Sequence, residues 1–333
     1  MEVYAYAYAE STLQLYGSGL LLFHVFCDQK GIQEWHRAPA KAELIQAFIA
    51  ALIGTYPGGT IQNYVAGIRA WHEINLLSWK MKDINLRSLY KAADNNAPMS
   101  ARRPPRKPYT IKHLERIIEK LDSSTSLGAN VKAVGTSLIY GIARMGELTV
   151  KNMEDFDPAK HPQISDVSKI VDDHGNEATS IHLPWTKCGP ISGESISYAI
   201  QNSLSCPVMA LQNHIHINKP QKGEHLFTYT RINPRTKREE RVPLTHHKFL
   251  ACIAEAAKEA GVETLSGHGF RIGGVLEYLL RGLPFDVVKY KGRWASNAFA
   301  IYLRRHAEIL APYIQAGGAV QGEFVRIMFP SIR

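Results

Sequence analysis

The chain has 333 residues, with 39 lysines and arginines against 30 acidic residues and a formal charge of +9, giving a pI near 9.3. Hydrophobic residues at 45% and charged residues at 21% exclude a disordered or fibrous chain, and the length suits two domains better than one. The positive balance points to an anionic partner, and no apolar run approaches the roughly 18 residues a membrane span requires, so nucleic acid is favoured over a membrane.

LLLFHVF near the start is short and has no basic stretch ahead of it, so a secretory signal is not expected. Cys27, Cys188, Cys206 and Cys252 are scattered without a CxxC pair, which predicts free thiols in a reducing compartment. His214 with His216, and His246 with His247, lack Cys or acidic neighbours at metal spacing. They read as surface or core histidines, and neither a metal nor a cofactor is expected.

The first third reads as helical throughout. TLQLYGSGLLLFHVFCDQKG carries apolar residues at helical period and ends at Gly31, a C-cap candidate. AKAELIQAFIAALIGTY follows Pro39 and is expected to stop at the breaker Pro57-Gly58-Gly59. In TIQNYVAGIRAWHEINLLSW, Thr60 is a candidate cap, and Ile61, Tyr64, Val65, Ile68 and Trp71 share one face. The opposite face offers Gln62, Asn63, Arg69 and His72, which would either be solvated or reach phosphates and base edges. INLRSLYKAADNN adds a last short helix to this bundle.

PMSARRPPRKPY, residues 98 to 109, is rich in proline and is expected to be a linker. Arg102, Arg103, Arg106 and Lys107 make it basic, which suits a strap over a nucleic-acid backbone, a nuclear import signal, or simply a solvated connection. Beyond it, IKHLERIIEKLD and ANVKAVGTSLIYGIARMGELTV look helical. QISDVSKIV, TSIHLPW and ESISYAI alternate or carry β-branched residues between the turns DDHGNEA and KCGPISG, the pattern of a small antiparallel sheet. Helices resume after Pro207 with VMALQNHIH, THHKFLACIAEAAKEAG and FRIGGVLEYLLRG. QAGGAVQGEFVRIMFPSIR ends the chain with a Gly-rich hinge and an apolar plug.

Several residues of the second half suit an anionic substrate. Arg144, late in the apolar run GIARMGEL, needs a partner there, and Glu147 three residues on can orient it or simply form an internal helix pair. In SGHGFRIGG, His268 and Arg271 share a helical face, with Gly269, Gly273 and Gly274 allowing close backbone approach. Guanidinium grips phosphate oxygens bidentately, and imidazole exchanges protons near neutrality. In GRWASNAFAIYLRRH, Trp294 offers an indole N–H, while Ala298, Phe299 and Ile301 read as packing residues. Tyr302 is there either as a core aromatic or as a phenol that cationic neighbours would help to ionise. Lys187, in the turn of LPWTKCGP, is an exposed lysine or an acid for a leaving oxygen. Tyr278 and Tyr290 are rival phenols.

The ordered series Arg144, Lys187, His268, Arg271, Trp294 and Tyr302 resembles the active site of the tyrosine recombinase, or phage-integrase, family. ARMGEL, HGFRIGG and GRWASNAFAIYLR look most like the Crypton and DIRS-type mobile elements of eukaryotes. The resemblance implies a mainly α fold with a small antiparallel sheet: a helical core-binding (SAM-like) domain over 1–97, the basic linker 98–109, an α+β catalytic domain over 110–315 and a tail from 316 to 333. It implies duplex DNA as partner, no membrane, and a tetramer on two DNA sites formed from a monomer or weak oligomer. It places the protein in the nucleus of a eukaryote, or in the cytoplasm or nucleoid of a prokaryote. Arg144 and Arg271 would hold the scissile phosphate and, with His268 and Trp294, stabilise the transition state; Tyr302 would attack, Lys187 would act as acid and His268 as base. Trp294 and Tyr302 are eight residues apart, one fewer than in many bacterial and phage members, which implies a shorter connecting turn or a slightly different part for Trp294. A type IB topoisomerase and an unused DNA-binding remnant of a mobile element are the alternatives.

Overall fold

The computed structural model describes residue 8 and residues 10–102, 104–296, 304–305 and 307–310. The chain divides into two compact units, Met1–Pro105 and Arg106–Arg333. The fold is mainly α, with two small antiparallel sheets in the second unit.

The first unit holds α1 (Glu10–Gln29), α2 (Glu34–Arg37), α3 (Ala42–Leu52), α4 (Gly58–Ile74) and α5 (Asp83–Asn96). α1 ends where the sequence predicts, with Gly31 at φ +64 and the Ile32 N–H donating to Cys27 O at 2.9 Å, a left-handed termination that glycine adopts without steric cost. α1 and α4 cross backbone to backbone. A Cβ on Gly19 would stand 2.6 Å from Tyr64 Cα, and one on Gly67 would stand 2.7 Å from Tyr16 O. Phe23 and Phe26 pack edge-on to Phe48, with centroids 5.3 and 5.5 Å away, in a core closed by Ile45, Ile49 and Ile61.

Three local expectations fail here, each overridden by tertiary contact. Pro57-Gly58-Gly59 does not stop α3, which ends at Leu52; Pro57 is instead the N-cap of α4. Thr60 therefore lies inside the first turn, and the cap comes from 36 residues away, where Asp94 Oδ1 accepts the Gly58 N–H at 2.7 Å. His72 does not join the polar face. It is 1% exposed, accepting the Ala40 N–H at Nε2 (2.9 Å) and donating from Nδ1 to Ile68 O (2.8 Å).

The second unit runs α6 (Ile111–Ile118), α7 (Ser126–Tyr140), α8 (Met145–Leu148), β1 (Val167–Val171), β2 (Glu177–Leu183), β3 (Glu194–Tyr198), α9 (Pro207–Asn218), β4 (Thr228–Ile232), β5 (Glu239–Pro243), α10 (His246–Glu259), α11 (His268–Leu280) and α12 (Phe285–Lys291). Thr110, Thr125 and Thr245 cap α6, α7 and α10 by accepting a first-turn N–H, as N-cap threonines do. α7 is the central helix, buried on almost every side against α9, α11 and β4. β1, β2 and β3 form the expected antiparallel sheet; Ile181 stands opposite Val167 on one side and Ile196 on the other. The β4–β5 hairpin was not expected, because its second strand, EERVP, is charged rather than alternating.

The end of the basic segment belongs to this unit's core. Tyr109 is fully buried, stacks on Phe270 at 4.2 Å, donates its N–H to Gly269 O at 3.0 Å and bridges Leu265 O and N through its hydroxyl. Met99–Ala101 forms a 3-10 turn in the preceding stretch. Among the described residues no helix is long and apolar enough to cross a membrane, and no group of His, Cys, Asp and Glu side chains is placed to hold a metal ion.

Candidate active site

Two helix ends build the site. α7 closes with the Ile142 N–H on Ile139 O and the Ala143 N–H on Leu138 O, a Schellman turn in which Ile142 takes the left-handed position at φ +45. A β-branched residue there costs roughly 1–2 kcal/mol, which burial of its side chain among Val275, Leu276 and Leu279 offsets. α12 closes in the same way, with the Arg293 N–H on Tyr290 O and the Trp294 N–H on Lys289 O and Arg293 left-handed at φ +59. Gly292 supplies room rather than backbone freedom in this turn, since a Cβ on it would overlap the Trp294 ring, 1.6 Å from its nearest atom.

Arg271 lies between these two ends. It is 1% exposed and donates from Nη1 to Ile142 O and from Nη2 to Gly292 O, the latter at 2.6 Å. Its guanidinium lies 4.1 Å from the Trp294 ring centroid, a cation–π contact that fixes its plane. Helix α11 brings Arg271 this deep because its glycines admit backbone: a Cβ on Gly273 would meet Tyr109 O at 1.9 Å, and one on Gly274 would meet Ile139 O at 2.2 Å.

Arg144 is not inside a helix, as the continuous apolar pattern led us to expect. The turn at Ile142 breaks the run and leaves Arg144 as the N-cap of α8. Its pairing with Glu147 holds: Nη1 donates to Oε1 at 2.8 Å and the Arg144 N–H to Oε2 at 2.7 Å. Burial works against the Arg144 charge, and Glu147 outweighs it, so its pKa rises. Glu147, itself 6% exposed, also accepts Arg293 Nη2 at 2.5 Å.

His268 begins α11 half-buried. Burial, then the charges of Arg106, Arg271, Arg144 and Arg304, hold its imidazole below the ordinary histidine range. Lys187 is exposed in the turn between β2 and β3, and its neighbour Cys188 places Sγ 3.6 Å from Arg144 Nη2. Tyr302, Arg103, Ala298, Phe299, Ile301 and the FVRIMF plug lie outside the described residues. Of the rival phenols, Tyr278 donates its hydroxyl to Tyr140 O at 2.8 Å and is pushed up by burial, while Tyr290 is 87% exposed on α12.

The structure thus gathers Arg144, Glu147, His268, Arg271 and Trp294 around the two helix ends and sets Lys187 on an adjoining turn. The basic residues singled out for DNA contact are less uniform. Arg69 pairs with Glu73 (2.9 Å) and Asp83 (3.1 Å), and Lys107 with Glu263 (2.6 Å). Arg102 donates to Ala97 O and Asn95 O, whereas Arg106 contributes charge beside His268. Sequence reasoning missed Arg293, Glu194 and Thr186. The GRW string was the one available signal for Arg293, and nothing local marks it as buried.

No protein-family model and no curated protein matches the chain. It is similar to the solved structure of the XerH site-specific recombinase bound to palindromic difH substrate in a post-cleavage complex: TM-score 0.56, 15% identity, 91% of this chain and 80% of that one. The pre-cleavage XerH complex matches at TM-score 0.53 and 14% identity over 91% of this chain and 79% of that one. A lambda integrase dimer bound to a COC′ core site matches at TM-score 0.52 and 15% identity over 90% of each chain. At such identities the likeness is one of fold, the fold of these site-specific recombinases.

Proposed function

We propose that the chain is a site-specific DNA recombinase or integrase of the tyrosine-recombinase family, on the Crypton/DIRS branch, acting on duplex DNA through a 3′-phosphotyrosyl intermediate. The observation that carries the reading is Arg271: a fully buried arginine, clamped by two helix-end carbonyls and an indole face, beside a second arginine held by a buried carboxylate. Permanent cations fixed in this manner suit the equatorial oxygens of a phosphodiester that gains charge in its transition state. The DNA-bound recombinases of the same fold support the same reading.

In this mechanism Arg144 and Arg271 hold the scissile phosphate, while His268 and Trp294 share its developing charge. Tyr302 Oη attacks phosphorus, its proton passing to His268; the bond from phosphorus to the 5′ oxygen breaks, and Lys187 protonates the departing oxygen. His268 suits the base role because burial and the surrounding arginines favour its neutral form. The phosphotyrosyl bond conserves the energy of the phosphodiester, so a 5′-hydroxyl from another strand rejoins it with neither ATP nor metal. Residues 1–97 serve as the DNA-gripping domain, with Arg69 near the backbone, 98–109 as a basic linker with Arg102, Arg103, Arg106 and Lys107 near the backbone, and 110–315 as the catalytic domain. Assembly is as a tetramer on two sites, in the nucleus if the host is a eukaryote and in the cytoplasm or nucleoid if it is a prokaryote.

A nicked suicide substrate tests the reading, because loss of the fragment beyond the nick traps the covalent adduct. The natural chain gives a protein–DNA adduct, and Tyr302→Phe gives none. No adduct from the natural chain, or an undiminished one from Tyr302→Phe, sinks the proposal.

A further inference from the structure

Arg293 has no part in that mechanism, yet its charge is buried and held from several sides. Its side chain is 5% exposed, and its backbone sits at a left-handed position where glycine would carry no steric cost. What the arginine adds at this position is the reach of its fork. Nη2 donates to Glu147 Oε2 at 2.5 Å, Nε faces Glu194 Oε2 at 3.5 Å, and Nη1 points to Gly141 O at 3.4 Å. Glu194 Oε2 also accepts the Thr186 hydroxyl, which in turn accepts the Gly189 N–H at 2.9 Å. With the chain segment from Thr186 to Cys188, these contacts form a closed circuit. From Arg144 they pass through Glu147, Arg293 and Glu194 to Thr186, and from Cys188 they return to Arg144 Nη2. Lys187 lies on the perimeter, with both of its chain neighbours tied to the ring.

We propose that Arg293 is a positioning residue that couples the turn carrying Lys187 to Arg144, keeping the proton donor and the phosphate-gripping guanidinium in one register. This rests on the reading of Lys187 as the acid and Arg144 as a phosphate ligand in DNA cleavage. One planar fork serves two carboxylates, donating to Glu147 through Nη2 and standing within ion-pair range of Glu194 through Nε. Lysine keeps the charge but, as a point donor, cannot span both.

The test uses a sulfur substitution at the leaving group. When the bridging 5′ oxygen of the scissile phosphate is replaced by sulfur, the group departs as a thiolate, because a thiol ionises near pH 8.5 and needs no proton from Lys187. Single-turnover cleavage of suicide DNA is measured with both linkages for the natural chain, Lys187→Ala, Arg293→Lys and Glu194→Gln. Arg293→Lys should slow the ordinary linkage by about 10²-fold, the lower end of what a placed acid contributes, and should recover most of that loss on the sulfur linkage, as Lys187→Ala should. Glu194→Gln cuts the arm to the turn without touching Arg144 and should show the same pattern, which keeps the proposal testable even where Arg293→Lys does not fold. Equal slowing on both linkages, or no slowing, overturns the proposal. A natural chain that forms no adduct on either linkage overturns the recombinase reading and this proposal with it, whereas a Lys187→Ala that sulfur does not rescue overturns the acid assignment, and hence this proposal, alone.

Discussion

Glu147 is the carboxylate on which the site's electrostatics turn, and replacing it with glutamine isolates that role. Its two oxygens accept three donors, Arg144 Nη1, the Arg144 N–H and Arg293 Nη2. An amide of the same shape offers one acceptor and turns an N–H₂ toward at least one of those donors. Glu147 and Arg293 are 6% and 5% exposed, so the lost charge is not replaced by water. Removing one member of a buried pair costs about 3–5 kcal/mol. Arg69 with Glu73 provides the internal contrast, at 43% and 47% exposure, where Glu73→Gln should cost at most about 1 kcal/mol. Urea denaturation of the full chain, with hydrogen exchange of the buried α7 amides reporting on the second unit, measures both. Adding Arg293→Met to Glu147→Gln should return part of the loss, because the stranded guanidinium goes with it. Losses of similar, small size in Glu147→Gln and Glu73→Gln would refute the argument.

Three further outcomes are expected. Because burial and four arginines hold His268 below the ordinary range, the acid limb of the cleavage rate should fall below about pH 6.5, and Arg106→Ala should move it to higher pH; a limb that does not move in a pH–rate profile counts against His268 as the base. His214 and His225 are pushed down by burial to about 4 and about 3, each accepting a hydrogen bond at Nδ1. The unfolded chain therefore takes up protons first as pH falls through about 6.5. Stability should be lost from there downward, His214 alone contributing on the order of 3 kcal/mol, and His214→Gln should flatten a plot of urea midpoint against pH. Ile142→Ala should cost about 2–5 kcal/mol in urea denaturation, while Ile142→Gly, although it deletes more, should be no worse, since glycine relieves roughly 1–2 kcal/mol at a left-handed position; a glycine variant clearly weaker than the alanine one would contradict the strain assigned to the α7 end.

How far these features could be read without coordinates differs from place to place. The end of α1 at Gly31, the start of α9 at Pro207 and the three-strand sheet were legible because their signals are local. The reversal at Pro57-Gly58-Gly59 was not, because the cap that makes it a beginning is Asp94, on another helix. Arg144 read as mid-helix because apolar spacing continues unbroken through GIARMGEL, and nothing in that spacing reveals that Ile142 turns left-handed. Within the site, the spacing of His268 and Arg271 on one helix was visible, and so was the pairing of Arg144 with Glu147. Arg293 was invisible as anything but a surface charge: its partners Glu147 and Glu194 lie far back in the chain, and burial is a property of the assembled fold.

The clamp on Arg271 also orders events in time. Its carbonyl partners lie 129 residues upstream and 21 residues downstream, so no contiguous stretch shorter than that span can build the clamp. Closing contacts so distant is entropically late. A partly folded chain carries the arginine without its cage, so the site that Arg271 anchors exists only once Ile142 and Gly292 have both reached it.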